Sequence, residues 1–531
     1  MTSPASSRAD PASGGALIDL AAESLGGKAR VLAVQTFRQY SYGQNNAQDG
    51  GGNVSASPHA PQKRVAIDAQ VRTIDYPNRR MHLTQRQVQA FEFAYAHFMD
   101  TGNKIEQGLD GDVAYNLVGN RANAGAPQPQ RLAPLLARTR RIEMLDNPLS
   151  IVRAALEPGA KLTVPRSESD GDQVMDLTTA QGDTVTIALA SRTHRPQWMR
   201  WVGPHPVYGD LTYTTYFTGY EPLGESGLTL PFGYQTVCDY HGVVLSEVYV
   251  DKYVINGLEP AERADLAAPT AAASAPIPAG PAAPTIEATQ AAPHVWYLHS
   301  SVNGSSTAFE FRDHITVFEA YVSEANFEAI LAKIHEVLPG KPVTQLIISH
   351  HHLDHTGGLR AAVAEGLEVI TNRGENEVFV HEVTGRPARQ FPDLLQTRGR
   401  VGHVRILPVD ERMVLKDSTL EVDVLRIVAD NHMSDALLAY VPGAHIVAEG
   451  DLMDDTWDAS WWGNTYPATV KYWHLEVEHD LPVHGQMHTY AEVLALTQHQ
   501  IEGAQALCTR AEGAGFSLPG CPVANTLDGY R

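Results

Sequence analysis

The chain of 531 residues carries 61 Asp+Glu against 40 Lys+Arg, a formal net charge of -21, which repels phosphate backbones. With no basic stripe, nucleic-acid binding has no support. No apolar run approaches the roughly 18 residues of a membrane span, and a chain this long exceeds one hydrophobic core, so two or three domains are expected.

Residues 1–15 are expected to be disordered. Met1-Thr2-Ser3-Pro4-Ala5-Ser6-Ser7 has neither a basic start nor an apolar stretch of the kind that opens a signal peptide. The compartment is therefore periplasmic or secreted if a leader was removed, and cytoplasmic otherwise. Residues 16–258 read as an α+β domain with an open antiparallel sheet. Helical spacing falls at Gln85–Met99 and Arg131–Leu145, and apolar, aromatic and Thr residues alternate over Leu211–Glu221, Leu228–Thr236 and Val243–Ile255 as strands require. The opening Ala22-Glu23-Ser24-Leu25-Gly26-Gly27 followed by strands is similar to the lipoprotein-carrier half-barrels of bacterial envelopes. That likeness implies a ligand-binding role but assigns no catalytic residue.

A linker is expected over 259–293. From Leu266 to Pro293 it is an Ala/Pro tract whose only charge is Glu287, and its prolines favour an extended, semi-rigid connector. Beyond it, a domain is expected over 294–505. Pro293–Ser300 and Thr307–Phe318 read as strands, Asn326–Val337 as a helix and Leu420–Ala429 as a strand. The tail, 506–531, holds Cys508 and Cys521, which either pair or stay reduced; Cys238 is left over, and none of the 3 Cys lies in a metal-ligand motif.

The chemistry is concentrated in Ser349-His350-His351-His352-Leu353-Asp354-His355-Thr356-Gly357-Gly358. Imidazole nitrogen and carboxylate oxygen are ligands that zinc accepts, and three or four must converge on each ion. His350 and His352, one residue apart at the end of an extended segment, point the same way and can share one metal. After a short turn, Asp354 and His355 can reach a second. The run lies between a buried strand, Gln345-Leu346-Ile347-Ile348, and a turn entering a helix at Thr356–Val363, the junction where α/β sheets place ligands.

With these neighbours, residues 294–505 resemble the metallo-β-lactamase-fold hydrolases, an αββα sandwich with metals at one edge. The resemblance implies that His432, before Leu437-Leu438-Ala439-Tyr440, completes the first metal site with His350 and His352. It also implies that Asp451, after the strand His445–Glu449, bridges, and that His484 in Pro482-Val483-His484-Gly485 joins Asp354 and His355 on the second metal. Two zinc ions are implied, iron or manganese being the other ions this donor set accepts. The family's early-strand Asp is replaced by Glu319, read either as an orienting carboxylate behind the ligands or as a plain strand-end charge. True β-lactamases of this fold tend to carry Cys or Ser where this chain has Asp451, whereas lactonase, esterase, thioesterase and phosphodiesterase branches carry Asp.

The expected function is a zinc-dependent hydrolase whose metal-bridging hydroxide cleaves an ester, lactone or amide of a neutral or hydrophobic small molecule. Asp354 would be catalytic as well as a ligand, with Tyr466, Tyr472 or Tyr490, all nearby in sequence, protonating the leaving group. Trp457, Trp461, Trp462 and Trp473 would line either a substrate pocket or the core. The partner expected is a small molecule, without nucleic acid or a membrane span, and a homo-oligomer is left open. The rival readings are a β-lactamase, an iron redox enzyme, and a lipid- or ligand-binding envelope protein with a subordinate metal domain.

Overall fold

A computed structural model describes residues 13–47, 55–60, 63–89, 103–118, 128–169, 171–278, 283–430, 432–460, 463–515, 517, 521–523 and 526–528. Its N-terminal half is one open antiparallel sheet, 14-stranded among the described residues. Strand Thr36–Ala47 pairs on one side with Lys63–Asp75 and on the other with Val244–Ile255. Hairpins then extend the sheet outward from both neighbours, ending at Gln128–Arg131 and near Gln173–Thr178. Helices Gly14–Ser24, Pro134–Leu145 and Pro148–Leu156 cover one face, burying Leu17, Ile18, Ala21, Ile142 and Ile151 against Phe37, Ile74, Met81, Met199 and Phe217.

The helix expected at Gln85–Met99 is not formed over its described part: Arg80–Gln89 is a strand paired with Lys63–Asp75 and with Asn103–Asp110. Met81, Leu83 and Gln85, all buried, alternate with more exposed neighbours. The period-2 pattern and two ladders outweigh the helical spacing there. Residues 90–99 of that expectation lie outside the described residues.

The linker is not a free connector. Its start forms the helices Pro260–Asp265 and Thr270–Ser274. They are docked on the N-terminal half: the Arg263 guanidinium meets both carboxylate oxygens of Asp75 (3.0 and 2.9 Å), and Arg131 Nη1 donates to the carbonyl of Ala275 (2.6 Å). Its end, Ile286–Ala292, is a strand pairing with Val295–Ser300. Past Pro284 no proline removes a ladder donor until Pro293, so the segment can join a sheet edge.

The C-terminal half is a four-layer sandwich. A seven-stranded sheet, Ile286–Ala292 through Ile406–Val409, faces a six-stranded one, Arg412–Lys416 through His488–Thr489. Val295, Tyr297, Phe309, Phe318 and Ile347 interdigitate with Val422, Val424, Leu437, Ala448 and Leu481 between them. Helices Glu324–Val337, Leu359–Glu365 and Glu375–Gly385 pack outside the first sheet, and Thr465–Trp473 and Tyr490–Gly513 outside the second. The segment Thr307–Phe318 is two strands, Gly304–Glu310 and Ile315–Phe318, because Phe311 N–H donates to the His314 carbonyl and turns the chain. The last helix continues through 505 to Gly513, and Cys508 on it is disulfide-bonded to Cys521, while Cys238, outside that disulfide, is buried.

The two halves share one core, in which Val207, Tyr208, Leu211, Tyr240 and Val243 pack with residues of the sandwich helices. Polar contacts fix the register. The Asp210 carboxylate accepts from the N–H groups of Gln390 (2.7 Å) and Phe391 (3.1 Å), and Arg386 bridges the Tyr208 carbonyl and Asp239.

Candidate metal centre

The parallel strands Ile315–Phe318 and Val343–Ile347 deliver two loops to the same sheet edge. These loops grip each other. Val322 N–H donates to the Asp354 carbonyl (2.8 Å), Ala320 N–H to that of His355 (3.3 Å), and Gly358 N–H to that of Ala320 (2.9 Å). Glu319 and Val322 adopt φ of +73° and +59°, a left-handed conformation costly for side chains that carry Cβ and retained where surroundings fix it. The approach is close enough that a Cβ on Gly357 would lie 2.1 Å from the Val322 carbonyl oxygen. Gly357→Ala is accordingly expected to force the loops apart, lowering both the unfolding midpoint and the bound metal per chain. Wild-type values for both would show that the contact does not set the site.

His350 and His352 leave the strand in extended backbone, and His352 precedes the one-turn helix Leu353–Thr356 that presents Asp354 and His355. The turn after strand Glu421–Arg426 brings His432. Strand Ile446–Asp454 contributes Asp451 and strand His479–His484 contributes His484. Their ligand atoms form two groups, His350, His352, His432 and Asp451, and Asp354, His355, Asp451 and His484, each within 4.8 Å of one another. In the first, His352 Nδ1 lies 3.0 Å from His350 Nε2 and 3.1 Å from His432 Nε2, and Asp451 Oδ2 lies 2.9 Å from His432 Nε2. In the second, Asp451 Oδ1 is 2.9 Å from His355 Nε2 and 3.1 Å from His484 Nε2, and Asp354 Oδ2 is 3.1 Å from His484 Nε2. Asp451 thus turns one oxygen to each group.

This donor set fits cations. Five imidazoles and two carboxylates converge, nitrogen and oxygen donors that divalent cations accept, with the ligand atoms of each group within 4.8 Å of one another. A cavity of about 10 Å³ is lined by His350, His432 and Asp451. Burial pushes the His350 imidazole well below its usual range, keeping it in the neutral form that ligates. Burial also opposes charge on His484, but Asp451 and Asp354 outweigh it and push it up to about 10. Burial likewise acts to raise Asp451, and His355, His484 and His432 hold it well below the ordinary carboxylate range. The centre is therefore strongly polarised, with both carboxylates ionised.

Partners behind the ligands orient them. Ser349 Oγ and His350 Nδ1 are 2.8 Å apart, and the Asp430 carboxylate accepts from the N–H groups of His432 and Met433. Glu319, fully buried, accepts from Ser349 N–H (2.9 Å) through Oε1, while Oε2 lies 3.4 Å from His355 Nδ1. This arrangement favours the orienting role over the plain strand-end charge. Glu319→Gln is expected to weaken metal affinity by roughly 10–100-fold, as loss of such partners does, measured by competition with a chromogenic chelator. An unchanged affinity would assign Glu319 to folding alone.

Tyr466, Tyr472 and Trp473 lie on a helix packed outside the second sheet. Helix Thr465–Trp473 turns Tyr466, Thr469, Val470 and Trp473 toward the sheet at helical spacing, leaving Tyr472 57% exposed. Tyr466 donates to Asp480 Oδ1 (2.7 Å) in the core, where burial and Asp480 push its phenol well above the usual range. Trp473 Nε1 donates to the Arg426 carbonyl (2.8 Å), so it packs rather than lines a pocket. Trp457 is buried, and Trp461 and Trp462 lie outside the described residues. One aromatic beside the second group went unnoticed in the sequence: the Tyr321 ring lies 5.8 Å from that of His484, and its hydroxyl donates to the Asn303 carbonyl. His351, between two candidate ligands, instead packs against Phe379.

Residues 325–453 match the model of the metallo-β-lactamase superfamily. A metallo-β-lactamase from Pontibacter korlensis is 16% identical and aligns with TM-score 0.31 over 41% of this chain and 100% of its own. The DIM-1 metallo-β-lactamase is 12% identical with TM-score 0.31, over 41% and 97%. A linear primary-alkylsulfatase from a Pseudomonas species is 39% identical over 59 residues, 11% of this chain and 9% of that protein. The chain thus spans about a tenth of the length of that curated relative.

Proposed function

We infer, from a C-terminal half that is a metallo-β-lactamase-fold domain, that the protein is a metal-dependent hydrolase working with two divalent cations. The observation that carries this is the pair of four-ligand groups sharing Asp451. His350, His352 and His432 would hold one ion, Asp354, His355 and His484 the other, and Asp451 both. Zinc fits the nitrogen-rich set best, with iron or manganese as alternatives. Bound there, such ions supply a nucleophile at neutral pH and polarise the bond to be cleaved.

The chain's own groups do the rest. Asp451 keeps both ligand groups in one frame. Asp354, 33% exposed at its side chain, is the carboxylate of the centre most open to incoming substrate and is placed to accept a proton from water. Tyr466, hydrogen-bonded to Asp480, and the exposed Tyr472 are poorly placed to protonate the leaving group, whereas the Tyr321 ring lies beside His484 of the second group.

The substrate class we favour is an ester, lactone or amide of a neutral or hydrophobic small molecule. A sulfate ester of an alkyl chain is a second reading, favoured by the matched alkylsulfatase segment. A panel of carboxylic esters, lactones, a chromogenic cephalosporin, thioesters, phosphodiesters and alkyl sulfates separates these. Turnover of at least one should vanish on chelation and return with zinc. Full turnover after chelation, or in His352→Ala, would falsify the metal-dependent reading.

A further inference from the structure

Far from the metals, the covered face of the N-terminal sheet changes character along its strands. At one end it is apolar, with Phe37, Met81 and Phe217 under the helices. Toward the other it holds a cavity of about 260 Å³, lined by the polar Gln39, Gln70, Gln85, Arg72 and Asp146 together with the apolar Ile67, Leu83 and Trp201. That is more than one or two ordered waters occupy, at roughly 30 Å³ each. Gln39, Gln70 and Gln85 are 2%, 6% and 8% exposed. Part of this lining is fixed by its own bonds: Ser41 Oγ donates to Gln70 Oε1 (2.8 Å), and Gln70 Nε2 donates to Gln85 Oε1 (2.7 Å). Three buried atoms have no partner within the protein, the acceptors Gln39 Oε1 and Asp146 Oδ1 and the donor Arg72 Nε.

We propose that this cavity is a binding site for a neutral polyhydroxylated molecule, a sugar or polyol of one or two rings. A hydroxyl both donates and accepts, so one ligand can satisfy two acceptors and a donor together. The wall is nearly neutral. Arg72, which also donates to the Asp146 carbonyl (3.1 Å), offsets the Asp146 carboxylate, and Glu143 is paired with Arg140 (2.6 Å). An ionic ligand would therefore meet no net counter-charge. Trp201 and Tyr213, stacked with centroids 4.4 Å apart, add a flat apolar surface of the kind that the C–H face of a sugar ring covers. A fatty acyl chain would bury Gln39, Asp146 and Arg72 against hydrocarbon without hydrogen bonds, which is unfavourable. The site is thus distinct in chemistry from a lipid carrier's, and it does not depend on the metal centre.

The test is isothermal titration of the full chain with glucose, maltose, trehalose, myo-inositol and, separately, palmitate. Gln39→Leu and Asp146→Asn are compared with wild type, and circular dichroism and metal content serve as checks of folding. At least one polyol should bind the wild type at a single site, and whichever variant folds should bind it at least tenfold more weakly with unchanged metal content. Three results would each overturn the proposal: no polyol binding at millimolar concentration, equal binding in every folded variant, or competition of palmitate for the same cavity.

Discussion

Asp451→Ala should remove both cations and abolish hydrolysis, a larger effect than any other single ligand replacement. Each of the six remaining ligand residues serves one group, so losing one of them leaves the other group complete. Asp451 is the only residue common to both: Oδ2 faces His432 and His350, and Oδ1 faces His355 and His484. Its removal leaves five imidazoles, four of them buried, with Asp354 as the remaining carboxylate of the two groups. Each group loses a ligand and its negative charge, so cation affinity falls at both positions. The loss of activity should exceed the roughly 10–100-fold that follows from losing a partner one step behind a ligand. Metal content by mass spectrometry and turnover of the best substrate check this. Retention of one tightly held ion with measurable turnover would show that the groups are independent.

Asp393→Ala should be the most destabilising substitution away from the centre, by about 3–5 kcal/mol, the usual effect of stripping one partner from a buried ion pair. Arg360, 1% exposed, lies two residues after Gly358. Its guanidinium pairs with Asp393 and also donates to the Val383 and Arg386 carbonyls. Removing the carboxylate leaves a buried cation and also deletes the cap that accepts from Gln396 N–H (2.8 Å). The segment it disturbs contains Arg386, Gln390 and Phe391, which bind the N-terminal half. Denaturant unfolding should therefore show a lower midpoint. A midpoint within error of wild type would mean that the carbonyls alone satisfy Arg360.

The metal centre was legible because its ligand types are rare and closely spaced. His350, His352, Asp354 and His355 announce themselves within six residues, and just before them come three buried apolar residues, Leu346, Ile347 and Ile348. His432, Asp451 and His484 are individually ordinary and became visible only through their order behind that run. Tyr321 carried no such signal, since only the pairing of two parallel strands brings its loop to His484. The aromatic segment misled for a physical reason. A Trp or Tyr that lines a pocket and one that packs a helix onto a sheet have the same composition, and the difference lies in which helix face each occupies. The sheet of the N-terminal half was read from alternating strands such as Leu228–Thr236, but Arg80–Gln89 was not, because its polar Gln and Arg residues leave a weak period-2 pattern. Its identity as a strand comes from the neighbours on either side.

Anomalous diffraction from zinc-loaded crystals of the full chain tests the central claim most directly. Two peaks are expected, one among His350, His352 and His432 and the other among Asp354, His355 and His484, with Asp451 contacting both. A single peak, or zinc bound only elsewhere on the chain, would contradict the two-cation centre.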